Sequence, residues 1–242
     1  MDISSTGDRA AVALERLPFR VAMASRQSLP EVAALRAASY GKHLPTLGAT
    51  LHQPEAADYD PACAVFVAQS KFDGSLLGSF RTHANVSAVL PLQTSLQLPE
   101  RFRGTRMVET TRLCIKGNSN ASAVRSALFK ALHLYCLAQK VDWMMAAGRR
   151  PVDRIYDGLL FRDVGEPGMF YPMAHAGGVP HRVMCLAPTD VEPLWRASRH
   201  PLYHFFFETS HPDIDLSGAR SLDGAWTCPD TAPVSGEAVS AD

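Results

Sequence analysis

Three observations predict a mixed α/β (α+β) fold. Short apolar runs of strand length alternate with segments of helical period, in the order β-α-β-β-β-α-β-α-β. Two of these runs, CAVFVAQS (63–70) and SLLGSFRTHA (75–84), flank Asp73-Gly74, a turn signal that makes them an antiparallel hairpin. A long amphipathic helix then separates two further strands, the βαβ-like arrangement that follows the antiparallel run.

Taken in order, FRVAMAS (19–25) reads as the first strand. Leu29-Pro30 leads into a helix over EVAALRAASYGKHL (31–44), with Val32, Leu35, Ala38 and Ser39 as its helical stripe and Arg36 and Tyr40 one turn apart. The hairpin follows, then a looser stretch with Pro91 and Pro99, then the strand MVETTRLCI (107–115). KGNSNAS (116–122) is a turn feeding the strongest helix, 123–140, whose Val124, Leu128, Ala131, Tyr135 and Ala138 share a side. VDWMMAAG (141–148) is a strand, RRPVDRIYDGLLF (149–161) a helix, HRVMCLAP (181–188) a late strand, and a last helix starts after Pro188. No linker-like stretch interrupts the middle, so a single domain is expected over 17–210. Residues 1–16 read as a flexible N-terminal segment. Residues 211–242, rich toward their end in Ser, Ala, Gly, Asp and Pro, read as a disordered tail in which only Trp226 is equipped to dock.

Composition narrows the function. The 242 residues carry 24 Lys+Arg against 24 Asp+Glu, a balance that points to neither nucleic acid nor an anionic membrane surface as the main partner. No uninterrupted apolar run approaches the ~18 residues of a membrane span, and the N-terminus lacks the basic-then-apolar order of a secretory signal. Five scattered cysteines, never spaced as CxxC, suit free thiols in a reducing, cytoplasmic setting rather than a disulfide framework or zinc ribbon. The sequence holds no GxSxG, no GxxxxGK[ST] and no GxGxxG after a strand. His200, His204, Glu208 and His211 form the one metal-like cluster. Pro201 and Phe205-Phe206-Phe207 make it read as an aromatic docking segment edged by solvated histidines rather than a metal site.

Charged residues inside apolar strands are more informative. Arg81, Glu109 and Arg112 need partners, because an isolated buried charge costs several kcal/mol or more, and Asp58 and Asp60 before the third element are candidates. Such a network either fixes strand packing or lines a polar cleft in which one carboxylate acts as base. In a regular strand Glu109 and Arg112 point to opposite faces, so a bulge must bring them together or they serve different sites. The turn 116–122 offers helix N-terminal amides to an anion such as a pantetheine phosphate, or is an ordinary capped turn.

The combination of LRAASY (35–40), DYD (58–60), DGSLLGSFR (73–81) and VETTRLCI (108–115) resembles the autoinducer-synthase-like acyltransferases, and among them the N-acyl amino acid synthases of FeeM type, over roughly residues 17–210. The resemblance implies a GNAT-like mixed, largely antiparallel sheet with splayed central strands flanked by helices. It implies transfer of a long-chain fatty acyl group from acyl carrier protein to the α-amine of an amino acid. It also implies no bound cofactor, the donor being carried on the 4'-phosphopantetheine of the carrier. Arg36, Asp58, Asp60, Arg81, Glu109 and Arg112 match the family's charged cluster, and Glu109 matches the carboxylate proposed to assist amine deprotonation. The sequence departs from related patterns twice, and the second departure bears on the alternative, an acyl-homoserine-lactone synthase using S-adenosylmethionine. The pyrophosphate-cradling Arg/Gln-x-x-Gly-x-Gly/Ala pattern is replaced by Lys116-Gly117-Asn118-Ser119-Asn120-Ala121, which fits a carrier-bound donor better than free coenzyme A. The tryptophan that autoinducer synthases carry near the N-terminal helix has no counterpart in LRAASYGKHLP. A non-catalytic module that binds acyl chains or a carrier protein is the third reading.

On this reading a neutral amine attacks the thioester, Glu109 takes its proton, and a strand amide near Leu113 or Ile115 binds the oxyanion. Cys114 reads as a strand residue rather than a nucleophile, since no histidine stands in the motif to activate it. Phe66, Phe80, Leu128, Phe129 and Leu132 either line an acyl tunnel or form ordinary core. Arg101, Arg103 and Arg106 either face the acidic carrier protein or make a solvated basic loop.

Overall fold

The computed structural model describes residues 13–117 and 120–229. A sheet of eight strands has the order β2(Phe19–Met23)-β3(Cys63–Ser70)-β4(Leu76–Ala84)-β5(Met107–Ile115)-β6(Trp143–Gly148)-β9(Val179–Leu186)-β7(Arg162–Asp163), with β8(Phe170–Met173) also pairing β9. Every pairing is antiparallel except β5 with β6. That parallel pair needs a crossover, supplied by α3 (Ala121–Ala138). Asp73 and Gly74 close the β3–β4 hairpin: Gly74 takes φ 72°, and the Asp73 carboxylate accepts the Ser75 N–H at 3.1 Å.

The alternation of β3 assigns the two faces. Phe66 and Ala68 join α3 in the main core, with Phe80, Val108, Leu128 and Met144, while Val65 and Val67 pack under Leu29 and Val32 of α1 (Leu29–Gly41). A third cluster, Leu90, Leu92, Phe102, Met107, Met145 and Met173, lies under the loops that follow β4 and β8. α3 buries Val124, Leu128, Ala131 and Tyr135 as its period predicts, whereas Ala138 is exposed. α1 departs from expectation: its buried face is Val32, Ala33, Arg36 and Ala37 instead of Leu35 and Ala38. The helix is turned by its arginine, whose ion pair is described below.

A short α2 (Pro45–Thr50) packs on α1, with Gly48 so close to Gly41 that an added Cβ would lie 2.6 Å from the Gly41 backbone. The helix expected over 149–161 is confined to α4 (Asp153–Gly158), and α5 covers Val191–Ala197. The expected ends of the domain need correction where they are described. Ala13–Leu14 (β1) pairs with Thr209–Ser210 (β10), and the buried Asp213 accepts the Leu17 N–H at 2.9 Å. Ile214 bridges Val21, Leu222 is 4% exposed, and Thr227 N–H bonds Val86 at 3.0 Å, so 211–229 is packed, not disordered. Trp226 does dock, beneath the guanidinium of Arg106 at 5.8 Å. The rest of both expected flexible ends lies outside the described residues. Among the described residues no helix is long and apolar enough to cross a membrane.

Candidate active site

β5 and β6 pair only from Met107↔Trp143 to Thr110↔Ala146. Beyond that point β5 stays with β4 up to Ile115 and β6 stays with β9 up to Gly148, and the two strands part. A cavity of about 360 Å³ fills the gap. Its β5 wall is Glu109 to Ile115. Tyr40, Lys42, His43, Leu44 and Leu47 close one side, Ala147, Arg149, Val152 and Tyr156 the other, and His175, Ala176 and His181 the remainder. The slot therefore lies at the sheet's parting, with buried Glu109 deep inside and exposed Lys42 at its rim.

Glu109 is 0% exposed. Its Oε2 accepts the Leu92 N–H at 2.8 Å, while Oε1 has no hydrogen-bond partner and faces His175 Nε2 at 3.9 Å. Burial lifts its pKa from the ordinary 4.5 to about 8, against the Leu92 hydrogen bond and the charges of Arg81 and Arg112. A carboxyl so placed is tuned for proton exchange near neutral pH.

A bulge settles how Glu109 and Arg112 relate. The β4–β5 register shifts between Ser79↔Cys114 and Arg81↔Thr111, and Arg112 takes φ 56°. Arg81 and His83, cross-strand from Thr111 and Glu109, share one face of the sheet, and Arg112 binds the same carboxylate as Arg81 on that face. The carboxylate belongs to Glu55. Arg112 grips it with Nε at 2.8 Å and Nη2 at 2.7 Å, and Arg81 Nη1 reaches it at 3.0 Å. Arg81 Nη1 also bonds Asp58 at 3.0 Å, and Arg36 Nη1 bonds both Asp58 oxygens at 2.8 Å. Burial works to raise the Glu55 pKa, but the Arg112 hydrogen bond and the three guanidinium charges hold it at about 2. Three arginines thus face two carboxylates, and one positive charge is left over.

Of the residues singled out in the sequence, Glu109, Arg112, Leu113 and Ile115 line the cavity, and Arg36, Asp58 and Arg81 stand behind Arg112 and Glu55. Asp60 does not join them: it is exposed, and its side chain caps the Ala62 N–H at 2.7 Å in the turn before β3. Phe66, Phe80, Leu128, Phe129 and Leu132 do not line the cavity either. They are core between the sheet and α3, Phe66 stacked on Phe80 at 4.4 Å. Arg101, Arg103 and Arg106 precede β5 at the end opposite the slot. There Arg101 donates to the Val164 carbonyl, Arg103 pairs with Glu100 at 2.8 Å, and Arg106 covers Trp226. The metal-like cluster is dispersed. His200 stacks on Trp195 at 3.8 Å, His204 pairs with Glu208 at 2.9 Å, and His211 Nδ1 lies 3.0 Å from Lys130 Nζ. Cys114 lines the cavity, but burial pushes its thiol up to about 12. Gly117 sets the turn 116–122 at the cavity's edge; Asn118 and Ser119 of that turn lie outside the described residues.

Sequence reading missed Glu55, the hub of the network, and His83, whose Nε2 accepts from Arg81 Nε at 3.0 Å and lies 3.0 Å from Thr111 Oγ1. It also missed the site roles of Tyr40, whose hydroxyl donates to the Leu113 carbonyl at 3.4 Å, and of His175 and His181. A carboxylate ahead of DYD was the one available signal for Glu55; nothing local marks the histidines.

Comparison with known proteins gives concordant results. The family model described as N-acyl amino acid synthase FeeM matches residues 31–183. The structure of FeeM, an N-acyl amino acid synthase from uncultured soil microbes, superposes with a TM-score of 0.55 and 17% identity, covering 77% of this chain and 99% of that one. The coenzyme-A-dependent acyl-homoserine lactone synthase BjaI, with S-adenosylmethionine and isopentyl-CoA, superposes with a TM-score of 0.53 and 14% identity, covering 83% and 97%. Compared with curated proteins, the sequence has no significant match. The largely antiparallel sheet that parts at its centre is the GNAT-like architecture that the resemblance implied.

Proposed function

The chain belongs to the FeeM family of N-acyl amino acid synthases, and on that premise we propose that it moves a long-chain fatty acyl group from acyl carrier protein to the α-amine of an amino acid. One observation carries the reading. At the parting of β5 and β6, a single cavity holds a buried carboxylate oxygen without a partner and an arginine from a network of net positive charge.

Each part has a task in acyl transfer. Arg112 commits Nε and Nη2 to Glu55, which leaves Nη1 for the carboxylate of the acceptor. The acceptor's amine then lies against Glu109 Oε1, which takes its proton as the nitrogen attacks the thioester carbon. The carrier's 4'-phosphopantetheine enters between Lys42 and Arg149 and runs along the edge of β5 that β6 has left, so no resident cofactor is needed. Amides at Leu113–Ile115 stabilise the oxyanion, a contribution of a few kcal/mol in such sites. Leu44, Leu47 and Val152 offer the acyl chain an apolar wall. No acyl-enzyme forms, because the only cavity thiol, Cys114, is protonated. A cytoplasmic setting fits this donor and the five unpaired cysteines.

The test is direct. Purified protein is incubated with long-chain acyl carrier protein or the matching acyl-coenzyme A, and with each of the twenty amino acids. A parallel reaction contains S-adenosylmethionine. Mass spectrometry should find an N-acyl amino acid formed faster from the carrier. An acyl-homoserine lactone, or no amide from any acceptor, would sink the proposal.

A further inference from the structure

The proposed reaction has a proton balance that Glu109 alone cannot close. The acceptor arrives as an ammonium with three N–H bonds. A C–N bond forms, the C–S bond breaks, and the amide keeps one hydrogen. One of the other two protons leaves with the pantetheine sulfur as thiol. The second, taken by the Glu109 carboxylate, must reach solvent before the next turnover. Glu109 is 0% exposed, and its Oε2 is occupied by the Leu92 N–H.

We propose that His175 is the proton relay between Glu109 and solvent, taking the carboxyl proton on Nε2 and handing it out of the cavity. This rests on the acyl-transfer reading above. Nε2 lies 3.9 Å from the one Glu109 oxygen that lacks a partner, and the His175 side chain is 21% exposed; Nδ1 is buried without a hydrogen-bond partner, so the proton is both received and released at Nε2, on the cavity side of the ring. Both residues line the same cavity. The turn that carries the ring, Ala174–Ala176, is anchored by the Ala174 N–H on Ser95 Oγ at 2.9 Å and the Gly178 N–H on the Met173 carbonyl at 2.8 Å. Gly177 and Gly178, at φ 69° and 76°, supply the left-handed backbone that folds the turn back over Glu109. Closing the remaining gap to hydrogen-bond length needs a shift of about 1 Å, the tightening that catalytic contacts undergo on substrate binding.

The neighbouring groups do not compete for the role. Arg81 on β4 and Arg112 on β5 have no lone pair to receive a proton. His83 is engaged at both nitrogens, Nε2 by Arg81 and Nδ1 by Cys63 Sγ at 3.2 Å. His181 on β9 turns Nδ1 to the Val179 carbonyl at 2.7 Å, and its ring centre is 6.5 Å from that of His175. Burial, with the charges of Arg112, His181 and Arg81, lowers the His175 pKa to about 4. A ring that is neutral at rest passes a proton on without trapping it.

Four proteins test the relay: wild type, His175→Ala, His175→Asn and Glu109→Gln, each checked for folding by circular dichroism. The assay is N-acyl product formation from acyl carrier protein and the preferred amino acid. Both His175 variants should lose at least tenfold in kcat while KM for each substrate stays within twofold. Imidazole should restore kcat in His175→Ala, saturating with its concentration, and should not restore Glu109→Gln. Unchanged kcat in either folded His175 variant, or a loss that imidazole and other small buffers leave untouched, overturns the relay. Absence of product from wild type is a different failure: it removes the acyl-transfer reading itself, and the relay with it.

Discussion

Replacing Glu109 by glutamine should make the fold less sensitive to alkali. Burial raises the Glu109 pKa from the ordinary 4.5 to about 8. The folded chain therefore keeps a proton that the unfolded chain gives up above pH 4.5. The stability this proton confers is whole below pH 4.5 and is lost as pH climbs to and through 8. At about 1.4 kcal/mol per tenfold change in the protonation equilibrium, the rise to about 8 is worth about 5 kcal/mol, of which about 4 falls between pH 5 and pH 9. Glutamine copies the protonated acid: its carbonyl can accept the Leu92 N–H, and its amide occupies the place of the unpartnered oxygen. Urea unfolding of both proteins at pH 5, 7 and 9 gives the comparison. The stability of Glu109→Gln relative to wild type should grow by about 4 kcal/mol from pH 5 to pH 9. Identical pH dependence in the two proteins would refute the argument that Glu109 is held in a dry, uncompensated position.

Other expectations follow from the same geometry. Glu55→Gln unties Arg112 and should cost about 3 kcal/mol at pH 7. Because the folded pKa of Glu55 is about 2, below the ordinary 4.5, that cost should shrink as pH falls from 4.5 toward 2, which acid unfolding of both proteins would read. Phe80→Ala should cost about 3–5 kcal/mol by leaving a hole against Phe66, yet leave the acyl-chain preference unchanged, whereas Leu47→Phe should shift products toward shorter chains by mass spectrometry. Lys42→Glu and Arg149→Glu should raise KM for acyl carrier protein several-fold, most at low salt, while Arg103→Glu at the other end of β5 should not.

Much of the fold was legible. The bounds of Cys63–Ser70 and Met107–Ile115 coincide with the strand-length runs of the sequence, because a strand buried on both faces is mostly apolar and ends where polar turn residues begin. The charged cluster was legible in part, since Arg81, Glu109 and Arg112 stand out in such runs. What stayed hidden is set by contacts distant in sequence. Arg36 is buried because Asp58, 22 residues on, comes to meet it, and no helical period announces that. The bulge at Arg112 has no glycine to mark it. Phe66 and Leu128 are apolar whether they line a tunnel or a core, so only packing assigns them to the core. Residues 211–229 have the composition of a tail, but Asp213, Ile214 and Leu222 are the few that fasten it down.

The seam of four residue pairs between β5 and β6 has a mechanical consequence. It joins two half-sheets, β2 to β5 and β6 to β9, and the chain also links them twice: through α3, and through the run that leaves β9 and returns to pair with β1 and β2. Hinging the halves apart would strain both links at once, so the gap has a width fixed by its own frame. Traffic is then lengthwise. A thin, flexible donor arm can thread such an opening and withdraw after each cycle, whereas a bulky group presented side-on cannot pry it wider.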